Sequence, residues 1–158
     1  MSTIQRQIER QQMLVEKLLP QARARLVTIL DGAPLIEAAK LLRVGTDIIV
    51  ACDMAGILSG VITKTDVVAQ ISRCRGESCV TPAALVMTRG VVTCQSGDWL
   101  DNVWTVMKQR QLKNIPVVDS EGKPVGVLSA RDALAGLLGE VESEEALLRD
   151  YVMSIGYH

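Results

Sequence analysis

The 158-residue sequence has no phenylalanine, two tryptophans, two tyrosines and a single histidine, His158, at its last position. A structural zinc site needs four converging Cys or His ligands. The four cysteines show no C-x-x-C spacing, so no zinc centre is expected. Catalysis by a side-chain nucleophile needs a base beside it, or else a metal cluster. No Gly-x-Ser-x-Gly, no P-loop and no internal histidine is present, so the chain is not expected to be an enzyme. No apolar run approaches the roughly 20 residues that span a bilayer, residues 48–52 being among the longest. Residues 1–12 are polar and charged, without the apolar segment of a secretory signal, and a cytoplasmic protein with reduced thiols is the expectation. Strong charge of either sign is also missing, with 17 basic and 18 acidic residues giving a net charge of −1. That balance argues against sequence-independent nucleic-acid binding, which requires a basic surface. A local pocket for a small anionic ligand remains compatible with it.

What is present is ordinary in composition and unusual in arrangement. Apolar residues make up 48% and charged residues 22%, which suits one compact domain or two small units sharing a core. The arrangement is a duplication. Gly60-Val61-Ile62-Thr63-Lys64-Thr65-Asp66 is echoed by Gly126-Val127-Leu128-Ser129-Ala130-Arg131-Asp132, an offset of 66 that also relates Asp53 and Gly56 to Asp119 and Gly122. Val27-Thr28 and Leu35 match Val92-Thr93 and Leu100 at an offset of 65, so the second copy carries one inserted residue between Leu42/Met107 and Asp47/Lys113. Copies of this size bury little apolar surface alone, and the two are expected to pack against each other.

Each copy reads as β-α-β-β-α. A short opening strand (residues 26–30; 91–94) passes through Asp31-Gly32 or Ser96-Gly97 into an amphipathic helix. Pro34 suits the first helical turn of one helix and Asp98 the N-cap of the other. The apolar stripe is Leu35, Ala38, Ala39 and Leu42, or Leu100, Val103, Trp104 and Met107. Two strands follow (47–52 with 57–63; 115–118 with 124–129), joined by the turn-rich Asp53-Met54-Ala55-Gly56 and Asp119-Ser120-Glu121-Gly122. A second helix starts directly at Lys64 or Ala130. Further helices are expected over residues 4–19, ending before Pro20, and over residues 144–155, each with an apolar face that covers a core or a partner. The expected organisation is therefore an N-terminal helical extension (1–25), a first repeat (26–72), a linker (73–86), a second repeat (87–139) and a C-terminal helix (140–158). The linker's Cys74 and Cys79 read as a solvated stretch rather than a redox pair.

Thr63-x-x-Asp66 and Ser129-x-x-Asp132 each close a strand and open a helix. The simplest reading is a variant capping box, in which each hydroxyl contributes about 0.5–2 kcal/mol and nothing functional. The same place is chemically suited to a nucleotide. Helix N-terminal amides attract phosphate, Lys64 or Arg131 adds positive charge, and a carboxylate accepts both hydroxyls of a ribose.

These residues carry a family resemblance. Gly60-x-x-Thr63-x-x-Asp66, Asn114-Ile115-Pro116-Val117-Val118-Asp119, Gly126-x-x-Ser129-x-x-Asp132 and the starts ending at Thr28 and Thr93 resemble a tandem pair of cystathionine-β-synthase (CBS) domains, a Bateman module, over about residues 26–138. The resemblance implies an α+β fold of α/β-type layers, a pseudo-two-fold disc in which two three-stranded sheets meet and leave two clefts. It implies binding of an adenosyl compound such as AMP, ADP, ATP, NAD or S-adenosylmethionine, with no catalytic cofactor, and a homodimer that signals to a regulated protein. Residue by residue, it assigns Asp66 and Asp132 to ribose hydroxyls with Thr63 and Ser129 nearby, and Lys64, Thr65 and Arg131 to phosphate. Thr28, Thr93 and backbone groups at Ile48, Ile49, Asn114, Ile115 and Pro116 would bound the base. The first copy departs from the pattern, with Ile49-Val50-Ala51 standing where the second has Ile115-Pro116-Val117. The alternative reading is a structural dimerisation module without a nucleotide.

Overall fold

The computed structural model describes residues 13–73, 80–139 and Arg149. The cysteines expected to flank the linker, most of the helix expected over 144–155 and the first part of that over 4–19 lie outside the described residues. A 3-10 turn η1 (Val15–Leu18) leads into α1 (Leu19–Arg25), then β1 (Thr28–Leu30), α2 (Leu35–Leu41), β2 (Ile48–Cys52), β3 (Leu58–Thr63) and α3 (Lys64–Arg73). After the undescribed link come the 3-10 turn η2 (Ala83–Leu85), α4 (Leu100–Arg110), β4 (Asn114–Val118) and β5 (Pro124–Ser129). Residues 130–139 are helical and are called α5. No helix among the described residues is long and apolar enough to cross a membrane.

The duplication is reproduced in backbone detail. In the first repeat β2 pairs antiparallel with β3 from Ile48↔Thr63 to Ala51↔Gly60, and in the second β4 pairs with β5 from Asn114↔Ser129 to Val117↔Gly126. Both hairpins shift register at the same step, Ala51/Cys52 and Val117/Val118. Both close on an aspartate whose Oδ1 accepts two backbone amides: Ala55 (2.9 Å) and Ile57 (3.0 Å) at Asp53, Glu121 (2.9 Å) and Lys123 (3.0 Å) at Asp119. Gly56 and Gly122 then turn the chain at φ 84, a left-handed conformation that glycine adopts without steric cost.

The sheets differ in their third strand. In the first repeat β1 runs parallel to β2, pairing Thr28↔Val50 through Leu30↔Cys52. The strand expected over residues 91–94 is reduced to a single parallel bridge, Cys94↔Val117. The cause is Pro116. In the first repeat the Val50 amide donates to Val27 O (2.9 Å) and extends the ladder. Pro116 stands at the place of Val50 and has no N–H to donate to Val92. Only the bonds from Cys94 N to Pro116 O (3.1 Å) and Val118 N to Cys94 O (2.9 Å) remain.

Three apolar clusters hold the layers together. One contains Leu35, Ala38, Ile49, Ala51 and Ile62 of the first repeat, a second Leu100, Val103, Met107, Ile115, Val117 and Leu128 of the second. The third lies between the sheets, where Ile48, Val50, Cys52 and Val61 meet Val127. Each repeat's own cluster is completed by a segment that leads into the other repeat: Ala83 and Met87 enter the first, Val15, Leu18 and Ala22 the second. The glycines of the repeated motif make this possible. A Cβ at Gly60 would lie 2.6 Å from Thr88 O and 2.9 Å from the Met87 side chain, and one at Gly126 would lie 2.8 Å from Ala22 Cβ.

The exchanged segments also replace the expected helix caps. Leu35 N donates to Thr81 O (2.7 Å) and Leu100 N to Met13 O (2.6 Å), so a carbonyl from the incoming segment satisfies an amide in each helix's first turn. Pro34 and Trp99 are the N-cap residues and neither makes a side-chain cap bond. Asp98 is not the cap. Its Oδ2 accepts from Gln95 N (2.8 Å) and closes the preceding turn instead. The N-terminal helix likewise does not end before Pro20. Within the described part of 4–19, Met13 and Leu14 are not helical, Leu14 being extended and bridged to Trp99. The turn η1 follows, and the α-helix starts only at Leu19 and runs through Pro20 to Arg25, with proline in the first turn, where the missing N–H has no helical partner to lose.

Candidate functional site

The strand-to-helix turn of the first repeat forms a reciprocal capping box. Asp66 Oδ2 accepts from Thr63 N (2.9 Å) and Thr63 Oγ1 (3.1 Å), while Thr63 Oγ1 accepts the Asp66 amide at a long 3.4 Å. Asp66 Oδ1 makes no hydrogen bond among the described residues. Asp66 lines a cleft of about 960 Å³ between the repeats, near the upper end of the range for small-molecule sites. The first repeat supplies Asp47, Ile48, Val61 and Thr63-Lys64-Thr65-Asp66, the segment between repeats Thr88 and Gly90-Val91-Val92, and the second repeat Arg110-Gln111-Leu112-Lys113-Asn114. Ile48, Val61, Val91, Val92 and Leu112 give this cleft apolar walls. Lys64, Arg110 and Lys113 set three cationic groups against the carboxylates of Asp47 and Asp66. Lys64 Nζ lies 3.3 Å from Asp47 Oδ1 in a solvent-exposed pair, weak enough to be exchanged for a ligand anion.

Arg110 and Lys113 reach this cleft because α4 is longer than its counterpart, with 11 residues against 7 in α2. It ends on Gln111 at φ 54, with Gln111 N donating to Lys108 O (3.3 Å) and Leu112 N to Met107 O (2.9 Å). That pair of bonds is a Schellman motif, which a glycine normally closes. The residue inserted in the second copy thus lies where the chain turns from α4 toward β4. Neither Arg110 nor Lys113 stood out in the sequence, because the insertion breaks the offset there.

The second copy's turn has the same backbone and a different carboxylate. Asp132 N donates to Ser129 Oγ (3.0 Å), which is half of the box. The Asp132 carboxylate is engaged chiefly by Arg25, with the Ser129 hydroxyl a smaller influence. Its Oδ2 accepts from Arg25 Nε (2.6 Å) and its Oδ1 from Arg25 Nη2 (3.2 Å), a two-pronged pair across 107 residues. The Arg25 guanidinium holds the Asp132 carboxyl below the usual carboxylate range, against the opposing effect of burial, and is itself raised by the pair.

Of the residues singled out in the sequence, Thr63, Lys64, Thr65, Asp66, Ile48 and Asn114 line the one cleft. Thr93 and Ile115 line a smaller hollow of about 290 Å³ with Cys94, Asp98 and Trp99. Ile49 and Pro116 are fully buried inside their strands, Thr28 is exposed on β1, and Arg131 is exposed beside Asp132. Cys52 and Cys94 are buried free thiols, and burial pushes the Cys94 thiol up to about 12, which keeps it protonated and unreactive.

The family model of the CBS domain matches this chain twice, over residues 16–73 and 83–139. The chain belongs to the CBS domain family. Solved CBS structures share its fold. The CBS-domain containing protein ATU1752 from Agrobacterium tumefaciens is 25% identical with a TM-score of 0.66, over 78% of this chain and 92% of that one. The CBS domain pair of protein MJ0100, solved with 5′-methylthioadenosine and S-adenosyl-L-methionine, is 24% identical with a TM-score of 0.66, over 81% and 97%. CBSX2, solved with AMP, is 18% identical with a TM-score of 0.69, over 80% and 96%. Among curated proteins, an uncharacterized protein of Methanocaldococcus jannaschii is 30% identical over 79 residues, and a homoserine O-acetyltransferase of Methanohalophilus mahii 26% over 115 residues. The matches cover 50% and 72% of this chain but 18% and 22% of those proteins, so the CBS chain spans about a fifth of the length of these relatives.

Proposed function

We propose that this CBS pair is a regulatory, non-catalytic module that binds an adenosyl compound in the cleft beside Asp66. The observation that carries the proposal is the chemistry of that cleft: a carboxylate with one oxygen unpaired within the described residues, on a helix-opening turn, beside apolar walls and a cationic rim. The carboxylate suits a ribose diol and the Thr63 to Asp66 turn brings helix N-terminal amides near it. Val91, Val92, Ile48 and Val61 suit the faces of a purine. Three cations against two carboxylates favour a phosphorylated ligand, an adenine nucleotide, over the cationic S-adenosylmethionine. The adenosyl ligands of the two relatives solved with them point to the same class.

The ligand's signal passes to a regulated protein through association of two copies. Support comes from the outer helices, where Val68 (65% exposed) and Leu134 (41%) occupy equivalent places, with Ile71 (61%) and Leu138 (50%) a turn further on. A second reading, dimerisation without a nucleotide, is favoured by the engagement of Asp132 with Arg25. Calorimetric titration of the chain with AMP, ATP, NAD and S-adenosylmethionine separates the two. Saturable binding that weakens when Lys113 and Arg110 are both changed to Gln is expected for the nucleotides. Absence of binding to all four compounds would overturn the adenosyl reading, and self-association of the ligand-free chain in analytical ultracentrifugation would then support the second.

A further inference from the structure

The two strand-to-helix turns of the duplication are not equivalent, and one difference bears directly on their carboxylates. Counting back from the matched Thr28 and Thr93, Arg25 stands where Gly90 stands in the other copy. Gly90 lines the open cleft and puts no side chain toward Asp66. Arg25, at the corresponding place, sends its guanidinium onto Asp132 with hydrogen bonds to both carboxylate oxygens. We propose that Arg25 is a built-in occupant of the second ribose-binding carboxylate, so that each chain takes a single adenosyl ligand, beside Asp66.

The chemistry of the pair supports exclusion. A planar guanidinium fork on a carboxylate uses the same edge that two vicinal hydroxyls would use. Asp66 keeps an oxygen free of partners among the described residues, and Asp132 does not. Arg25 is also held from behind. Its helix is seated against β5 so closely that a Cβ on Gly126 would come within 2.8 Å of Ala22 Cβ, and Val15, Leu18 and Ala22 anchor the segment in the second repeat's core. The block is one of position rather than of the pair's strength: a ligand at Asp132 would have to displace a side chain carried on a packed helix, whereas at Asp66 it meets a glycine.

The inference rests on the adenosyl-binding reading above, and stoichiometry tests it. The full chain is titrated calorimetrically with AMP and, separately, with S-adenosylmethionine. The expected result is one equivalent per chain for the wild type and two for Arg25→Gly, which places at 25 the residue found at 90. Combining Arg25→Gly with Asp132→Asn should return the count to one, with Asp66 intact. Arg25→Met serves as a second variant if the glycine form does not retain the wild-type circular dichroism spectrum. Two equivalents in the wild type would overturn the inference without touching the adenosyl reading. One equivalent in both wild type and a folded Arg25 variant would do the same. Failure of both probes to bind the wild type and every variant would overturn the adenosyl reading, and this inference with it.

Discussion

Asp66 has two roles that a single substitution can separate. As a cap it accepts the Thr63 amide (2.9 Å) and hydroxyl (3.1 Å) through Oδ2, and as a ligand group it would act through Oδ1. Asp66→Asn keeps an amide oxygen for the cap and loses the charge, while Asp66→Ala loses both. The alanine form should lose about 1 kcal/mol, the ordinary worth of a box partner, and the asparagine form less. Ligand response behaves differently. At a concentration of about 100 times Kd, a ligand stabilises the native state by about 2.7 kcal/mol. Removing a charge-assisted hydrogen bond costs about 1.5–3 kcal/mol of binding, which at the same concentration leaves about 0.3–1.3 kcal/mol of that stabilisation. With about 2–4 °C per kcal/mol for a chain of this size, the AMP-induced rise in Tm should fall from about 5–11 °C to about 1–5 °C. Differential scanning fluorimetry of wild type, Asp66→Asn and Asp66→Ala with and without AMP reads both numbers. An Asp66→Asn protein with the wild-type ligand shift would refute the ribose assignment, whatever the cap costs.

Gln111→Gly should raise stability by about 0.5–1 kcal/mol, because glycine adopts the left-handed conformation (φ 54) without the strain of a Cβ; chemical denaturation measures it. Pro116→Val should restore a donor facing Val92 and lengthen the third strand of the second sheet, seen as a new slowly exchanging amide at position 116 in hydrogen-exchange experiments, and a fast-exchanging amide there would contradict the account of the missing strand. The Arg25 to Asp132 pair should show in the pH dependence of stability. Because the carboxyl is lowered in the folded state, its contribution is complete above the unfolded carboxylate range and is lost as pH falls through the lower folded value. The Tm difference between wild type and Asp132→Asn should accordingly be constant above about pH 5 and close on acidification. With Arg25 39% exposed, the pair contributes about 1 kcal/mol or less, and less still in high salt.

The duplicated motif made the two hairpins, their aspartate turns and the helices α2 and α4 readable in advance. Each of these is written in short-range terms: Asp53 and Asp119 close turns a few residues long, and the stripes from Leu35 and Leu100 repeat at helical spacing. Departures arose wherever a distant segment supplied what a local rule assigned to a neighbour. Asp98 is a good cap residue by type, but the carbonyl of Met13 satisfies an amide at the start of that helix. Residues 91–94 are β-rich, yet the proline on the facing strand withholds the bond that would keep them in the sheet. The site followed the same division. Thr63, Lys64, Thr65 and Asp66 come together because they are consecutive, while Arg110 and Lys113 depended on where a longer helix from the other copy ends.

The sequence by itself determined that the unit is written twice and which turn in each copy carries the hydroxyl and the carboxylate, since side-chain periodicity and capping act within a few residues. Only the tertiary structure decided that those two turns have different fates. Residues 13–25 cross over to complete the second repeat, and that exchange alone brings Arg25 to Asp132 while Gly90 leaves Asp66 facing an open cleft. Long-range docking of that kind is set by complementary surfaces, here a helix seated on the bare backbone of Gly126, and no local pattern encodes it.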